Sequence, residues 1–315
     1  MLWESDIPGW AYDSGYRGLK SVLDKHPKIN LRTCFFRDAY FGRIPLRAYD
    51  VVFLWSWFDL NPLRVYWPVL NQCDPDKTIL CVASDRFVGQ RKDIFDKLEP
   101  FRFYAGNNQK VTDAIREAKP SATVYTLDYG VDLEKFKPQP FPKEFTVGWA
   151  GHQRAPLKRF ALATSVCAAA GVPIKVAGHP FTHGYISSDD MPAWYAGLSA
   201  LLITSTSEVN PCIYYEALAS GRPVVSTLVG DIPATAENYE NGIYLPLDAP
   251  EDEFVEAIKY LKDHPDTLAE MGAKARRTVE EKWGWERHAP KYIRYAETIM
   301  GEATIRDRQL IGAFT

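Results

Sequence analysis

Glu208 and Glu216 stand eight residues apart in the stretch SEVNPCIYYEALASGRPV, residues 207–224. Carboxylates that merely support a helix surface pair with a partner three or four residues away, so this spacing calls for another reason. Between the two lies a helix start. Asn210 is a good N-cap, Pro211 suits the first helical position, and Gly221 followed by Arg222-Pro223 ends the helix. The strand-like run ALLITS precedes it, which aims the helix N-terminus out of the carboxyl edge of a sheet. Free N–H groups and partial positive charge at such a terminus suit a phosphate. A carboxylate repels that anion, so the two glutamates are placed to accept hydrogen bonds from hydroxyls on either side of it. A nucleotide sugar has this layout: sugar hydroxyls, diphosphate, ribose hydroxyls.

The elements that must position these groups alternate along most of the chain. In the first half NLRTCFF (30–36), DVVFLWS (50–56), TILCVA (78–83) and ATVYTL (122–127) read as buried strands, with amphipathic segments at 91–98 and 109–118. In the second half the strands are FTVGW (145–149), PIKVA (173–177), ALLIT (200–204), PVVST (223–227) and GIYL (242–245), with helical segments near 157–170, 210–220 and 251–263. Strands alternating with helices predict parallel sheets covered on both faces. Prolines at 138, 140 and 142 interrupt both patterns and read as a linker. The expected architecture is α/β, two Rossmann-like domains facing across a cleft. We divide it into 1–138 on the acceptor side, 139–290 binding the nucleotide sugar, and a C-terminal helix and tail, 291–315, that returns to the first domain. Ligands of such sheets sit outside the carboxyl ends of the strands.

The pattern E-x7-E followed by ALASGRPVV resembles the donor-binding signature of retaining GT-B glycosyltransferases, family 4 above all. DYGVDLEKFKP (128–138) is similar to that family's closing stretch of the first domain, and VGWAGHQRAPLKRF (147–160) to its glycine turn with a later lysine. VGDIPATAENYENGIYLP (229–246) and EKWGWERHAPKY (281–292) resemble two further family segments, in the family's order. The resemblance implies transfer of a sugar from a UDP- or GDP-sugar to an acceptor, with retention and with no metal. It implies contacts to the transferred sugar from Glu208, to the ribose from Glu216 and to the diphosphate from Lys158, an ammonium point charge. Gly151, His152 and Arg154 belong to the same implied donor site, as do Asn210, Cys212 and Ile213 at the helix mouth.

Departures from the pattern carry weight. His152 stands where the family usually has arginine, with Arg154 near enough to substitute. Val209 replaces a glycine, and Ala234 replaces a glutamate. Where the family often has a histidine after the fourth strand, ILCVASDR offers Ser84 and Asp85, so Asp85 is a candidate active-site carboxylate or a loop cap. Two other readings stay open: an epimerase or hydrolase on the same fold, with Asp85 as its first suspect, and a catalytically silent sugar-nucleotide-binding subunit.

The remaining features exclude more than they add. Net charge is −3 over 315 residues, which gives no support for general nucleic-acid binding. The five cysteines are scattered without a C-x-x-C pair, pointing to a reducing compartment with neither a disulfide frame nor a zinc site. The opening MLWESDIPGW lacks a basic region and does not read as a signal peptide. No apolar run reaches the ~18 residues of a membrane span, so the expected location is cytoplasmic. The D-x-D in CDPDK (73–77) precedes a strand and reads as a turn, and His179 and His183 read as loop residues without a third metal ligand. The aromatic run WSWFDLNPLRVYW (55–67) packs in the core or grips an acceptor or a membrane surface. The acceptor itself, whether glycan, lipid, small molecule, protein or modified nucleic acid, is not legible.

Overall fold

Short runs of three to five residues, mostly buried, give eleven strands among the described residues, all pairing in parallel. The structure, a computed structural model, describes residues 1–5, 8, 11–55, 66–90, 92–179 and 182–313, with the side chains of 11, 85–87, 92 and 302–313 outside the description. Contacts divide the chain into two units, Met1–Tyr129 with Glu286–Thr315, and Gly130–Trp285. Among the described residues no helix is long and apolar enough to cross a membrane.

The first unit holds a six-stranded sheet: β1 (Leu2–Ser5), β2 (Arg32–Phe35), β3 (Val52–Leu54), β4 (Thr78–Val82), β5 (Phe103–Gly106) and β6 (Thr123–Thr126), in the order β2-β1-β3-β4-β5-β6. Its helices include α1 (Ala11–Leu23), α2 (Phe36–Tyr40), α3 (Trp67–Leu70), α4 (Asp85–Gln90), α5 (Lys92–Lys97) and α6 (Gln109–Ala118). Asn108 caps α6 by accepting from the Val111 N–H at 2.8 Å. Aromatic rings dominate the packing around β1. Trp3 lies 5.1 Å from Trp55 and 6.0 Å from both Tyr129 and Tyr292, between ring centroids.

The second unit holds β7 (Val147–Gly151), β8 (Ile174–Gly178), β9 (Ala200–Ile203), β10 (Val224–Thr227) and β11 (Gly242–Leu245), ordered β11-β10-β9-β7-β8. Strand alternation sends Val147, Trp149, Leu202, Val225 and Ile243 into one core, shared with α7 (Phe160–Ala169) and α10 (Glu251–Asp263). Leu201, Ile203, Val224 and Tyr244 enter another on the opposite face, shared with α8 (Met191–Ala196), α9 (Cys212–Ala219) and α11 (Pro265–Lys282). Burial on both faces is what parallel strands require.

The division expected at 138/139 falls inside the second unit rather than at its edge, for a physical reason. The Arg276 guanidinium donates to the carbonyls of Phe136 (2.6 Å) and Ala219 (2.9 Å), and Arg222 donates to Pro140 O at 3.1 Å. The proline-rich stretch is thus fastened to α9 and α11 instead of spanning two bodies. The last helix, α12 (Trp285–Ala313), supplies Tyr292 to the aromatic core of the first unit.

Candidate functional site

In the second sheet β8 lies on one side of β7 and β9 on the other. The chain leaving β7 and the chain leaving β9 therefore diverge at adjacent carboxyl ends, the place where open α/β sheets bind ligands. After β7 come Gly151, His152 and a 3-10 turn, Pro156–Lys158; after β9 comes the loop that carries Glu208 into α9. Several hydrogen bonds sew these loops together. Thr206 N donates to Leu157 O at 2.8 Å, Thr204 Oγ1 donates to Lys158 O at 2.8 Å, and Arg159 Nε donates to Thr204 O. Trp149 Nε1 in turn donates to Thr204 Oγ1 at 3.3 Å.

This stitching brings Lys158 against Glu208, with Nζ 2.5 Å from Oε1 and side chains only 25% and 13% exposed. The pair spans fifty residues of sequence. Gly151 lies beneath it with φ +148, and a Cβ there would meet the Lys158 Cδ and Cε at 3.5 Å. His152 accepts the Arg154 backbone N–H on Nδ1 at 3.2 Å, which leaves Nε2 as the proton-bearing nitrogen. Arg154 itself is exposed. His152 and His179 face one another with ring centroids 4.8 Å apart, and burial together with the His152 charge lowers the His179 imidazolium below its usual range.

The helix start differs from the sequence expectation. Pro211 is the N-cap of α9 and makes no side-chain cap bond. Asn210 does not cap: its Nδ2 donates to Asp231 Oδ2 at 2.8 Å and ties the loop to the one after β10. The N–H groups at the mouth of α9 therefore have no side-chain cap from residue 210 or 211. The helix does end as expected, with Gly221 left-handed at φ +68. Cys212 and Ile213 form its first turn, half-buried. Burial and the Glu216 charge push the Cys212 thiol up to about 12, so it is no nucleophile near neutrality.

Glu216 lies farther along α9, half-buried. Its Oε2 accepts the Tyr195 hydroxyl at 3.0 Å. Burial pushes its carboxyl up to about 7, against the opposing pull of that hydrogen bond and of the Lys135 charge. Lys135 donates to Ser188 Oγ at 2.9 Å and stands 3.5 Å from Asp189. The sequence singled out neither Tyr195 nor Lys135. The only signal was an aromatic ahead of a strand and a lysine in a proline-rich run.

Of the other candidates, Asp85 opens α4, but its side chain lies outside the described residues. Most of the aromatic run 55–67 lies outside them too. CDPDK forms a turn, with Asp74 Oδ1 accepting the Asp76 N–H at 3.0 Å. Among the described residues no group of three or more potential ligands could hold a metal.

Comparison with known proteins falls on the same segment. Residues 147–264 match the family model for glycosyl transferases group 1. The D-inositol 3-phosphate glycosyltransferase of Streptomyces bingchenggensis is 29% identical over 121 residues, 38% of this chain and 26% of that protein. The trehalose synthase of Pyrococcus horikoshii is 35% identical over 86 residues, 27% of this chain and 20% of that one. The chain spans about a quarter of the length of these curated relatives. Among solved structures, Anabaena HepE in complex with UDP and glucose aligns with a TM-score of 0.65 at 13% identity, covering 94% of this chain and 98% of that one. A variant of S. aureus TarM in complex with fondaparinux, alpha-GlcNAc-glycerol and UDP gives 0.63 at 15% identity, over 83% of this chain and 58% of that one. These likenesses show the fold: two parallel-sheet α/β domains of the GT-B kind.

Proposed function

We propose that the chain is a glycosyltransferase that moves a sugar from a nucleoside diphosphate to an acceptor, with retention and without a metal. The observation that carries this reading is the Lys158–Glu208 pair at the carboxyl ends of β7 and β9, beside the mouth of α9. A sugar diphosphate exchanges that single pair for two better-matched ones. The ammonium turns to a phosphate oxygen, and the carboxylate accepts a hydroxyl of the transferred sugar. Glu216 takes the ribose hydroxyls, while Gly151, His152, Arg154, Asn210, Cys212 and Ile213 line the donor. Lys158 and the N–H groups of α9 stabilise negative charge on the departing diphosphate. Its oxygen then accepts the proton of the incoming acceptor hydroxyl, so no protein nucleophile is required. The match of residues 147–264 to glycosyl transferases group 1, and the UDP complexes of HepE and TarM, support the donor class.

The test is thermal. UDP or GDP in the presence of a chelator should raise the melting temperature, by about 2.7 kcal/mol of stabilisation at 100 Kd. A shift that needs added Mg²⁺ would remove the metal-independent mechanism. No shift with either nucleotide would remove the donor assignment.

A further inference from the structure

Tyr195 lies in the last turn of α8 with its side chain fully buried, yet its hydroxyl reaches two acceptors: Glu216 Oε2 at 3.0 Å and the Ile213 carbonyl at 3.1 Å. A phenol has one proton to give. When Glu216 is a carboxylate, Tyr195 donates to it. When Glu216 is a carboxylic acid, its own O–H donates to Tyr195 Oη, and the Tyr195 proton turns to Ile213 O. Both arrangements use the same heavy-atom positions, so Glu216 keeps its orientation whether or not it carries a proton. The Phe136 ring packs edge-on against Tyr195, with centroids 5.8 Å apart at 80°, and holds the phenol in place.

We propose that Tyr195 is a positioning residue of the donor site, keeping Glu216 aimed at the ribose hydroxyls in either protonation state through a proton shared between Glu216 and the Ile213 carbonyl. The inference rests on the donor reading above and deepens it. A ribose hydroxyl donates to Glu216, so binding selects the carboxylate. The Glu216 proton leaves for solvent, and the Tyr195 proton swings from Ile213 to Glu216. Nucleotide-sugar binding thereby becomes linked to pH near neutrality.

Other charges face Glu216 from each packed element. Tyr195 comes from α8, and Lys135 from the segment ahead of the prolines, with Ser188 and Asp189 beyond it. Cys212 lies on its own helix, with Glu208 and Lys158 past it. Cys212 stays neutral near pH 7, and Glu208 and Lys158 offset one another. Tyr195 and Lys135 are therefore the two groups that favour the carboxylate.

The experiment measures UDP-glucose affinity by calorimetry from the acid to the alkaline side of neutrality, with GDP-mannose as second probe. A sugar diphosphate diester has no titrating group of its own in this range. Wild-type affinity should rise on crossing about pH 7. Tyr195→Phe keeps the ring packing but loses the donor. Its rise should move about one pH unit higher, with affinity at neutrality roughly fivefold lower and recovery on the alkaline side. Lys135→Met should move the rise the same way and Lys135→Arg should restore it, a pattern that loss of packing alone would not give. Glu216→Gln should bind more weakly and with no rise. A Tyr195→Phe profile with the wild-type midpoint would overturn the inference while leaving the donor reading intact, as would a wild-type affinity independent of pH. Failure of the wild type to bind either probe at any pH overturns the donor reading and this inference together.

Discussion

A lysine and a glutamate 2.5 Å apart inhibit each other as ligands while they hold each other in place. This has a consequence of opposite sign for binding and for turnover. In Glu208→Gln the ammonium of Lys158 no longer has a carboxylate competing with phosphate, so UDP should bind about three- to tenfold tighter, the worth of a partly exposed charged hydrogen bond. Sugar transfer should fall at least about tenfold, because the acceptor of the sugar hydroxyl is weaker. Titration calorimetry with UDP and a transfer assay separate the two. Weaker UDP binding in this variant would mean that Glu208 holds Lys158 in position rather than competing with phosphate for it.

At the scale of elements, two loops meet because Thr204 and Thr206 bond the turn that carries Lys158. Gly151 makes room for them. Its φ of +148 is one that side-chain-bearing residues rarely adopt, so a substitution there strains the backbone although a Cβ would meet the Lys158 stem only in ordinary contact, at 3.5 Å. Gly151→Ala should cost about 1–3 kcal/mol of stability and weaken UDP binding together. Melting and calorimetry check both; a stable variant with wild-type affinity would show that the turn has slack. Much of this level was legible beforehand. Each of the nine strands expected from β-branched runs is present within a residue or two. Two strands escaped notice. LWES has a glutamate among its four residues, FYAG follows a charged stretch, and neither contains a β-branched residue, so neither shows the pattern by which the other strands are read. Gly221 ended α9 as local chemistry dictates, since only backbone geometry is at stake. Asn210 does not cap it, because the helix starts one residue later, with Pro211 at the cap position, and the Asn210 Nδ2 donates instead to Asp231, twenty-one residues on. Tyr195 and Lys135 were invisible for the same reason: their roles come from residues far along the chain.

At the scale of the whole molecule, the two units answer acid in opposite directions. In the second, burial pushes Glu216 up to about 7, above its ordinary value. Its contribution is fully present below the unfolded pKa and is lost as pH rises through about 7, so this unit gains stability on acidification. In the first, burial lowers the His288 imidazole to about 4, with Asp128 opposing. That contribution is present above the unfolded value and is lost as pH falls through about 4, so this unit loses stability over the range in which the other gains it. Scanning calorimetry should show the two transitions shifting in opposite directions between pH 7 and 5. Glu216→Gln should abolish the gain in the second transition only. Transitions that move together would deny the separate titrations.

The chain leaves the first unit at Tyr129 and rejoins it at Glu286, which sets an order of events during synthesis. The second unit is an uninterrupted run of sequence and has all its strands once β11 has emerged. The first unit has its six strands much earlier but lacks Tyr292, whose ring sits 6.0 Å from Trp3 and 5.8 Å from Phe53. Until that residue leaves the ribosome, a tryptophan-lined apolar surface waits uncovered through more than half the translation time. A chain stalled before α12 would therefore expose that surface to chaperones while its second unit already has every strand of its sheet.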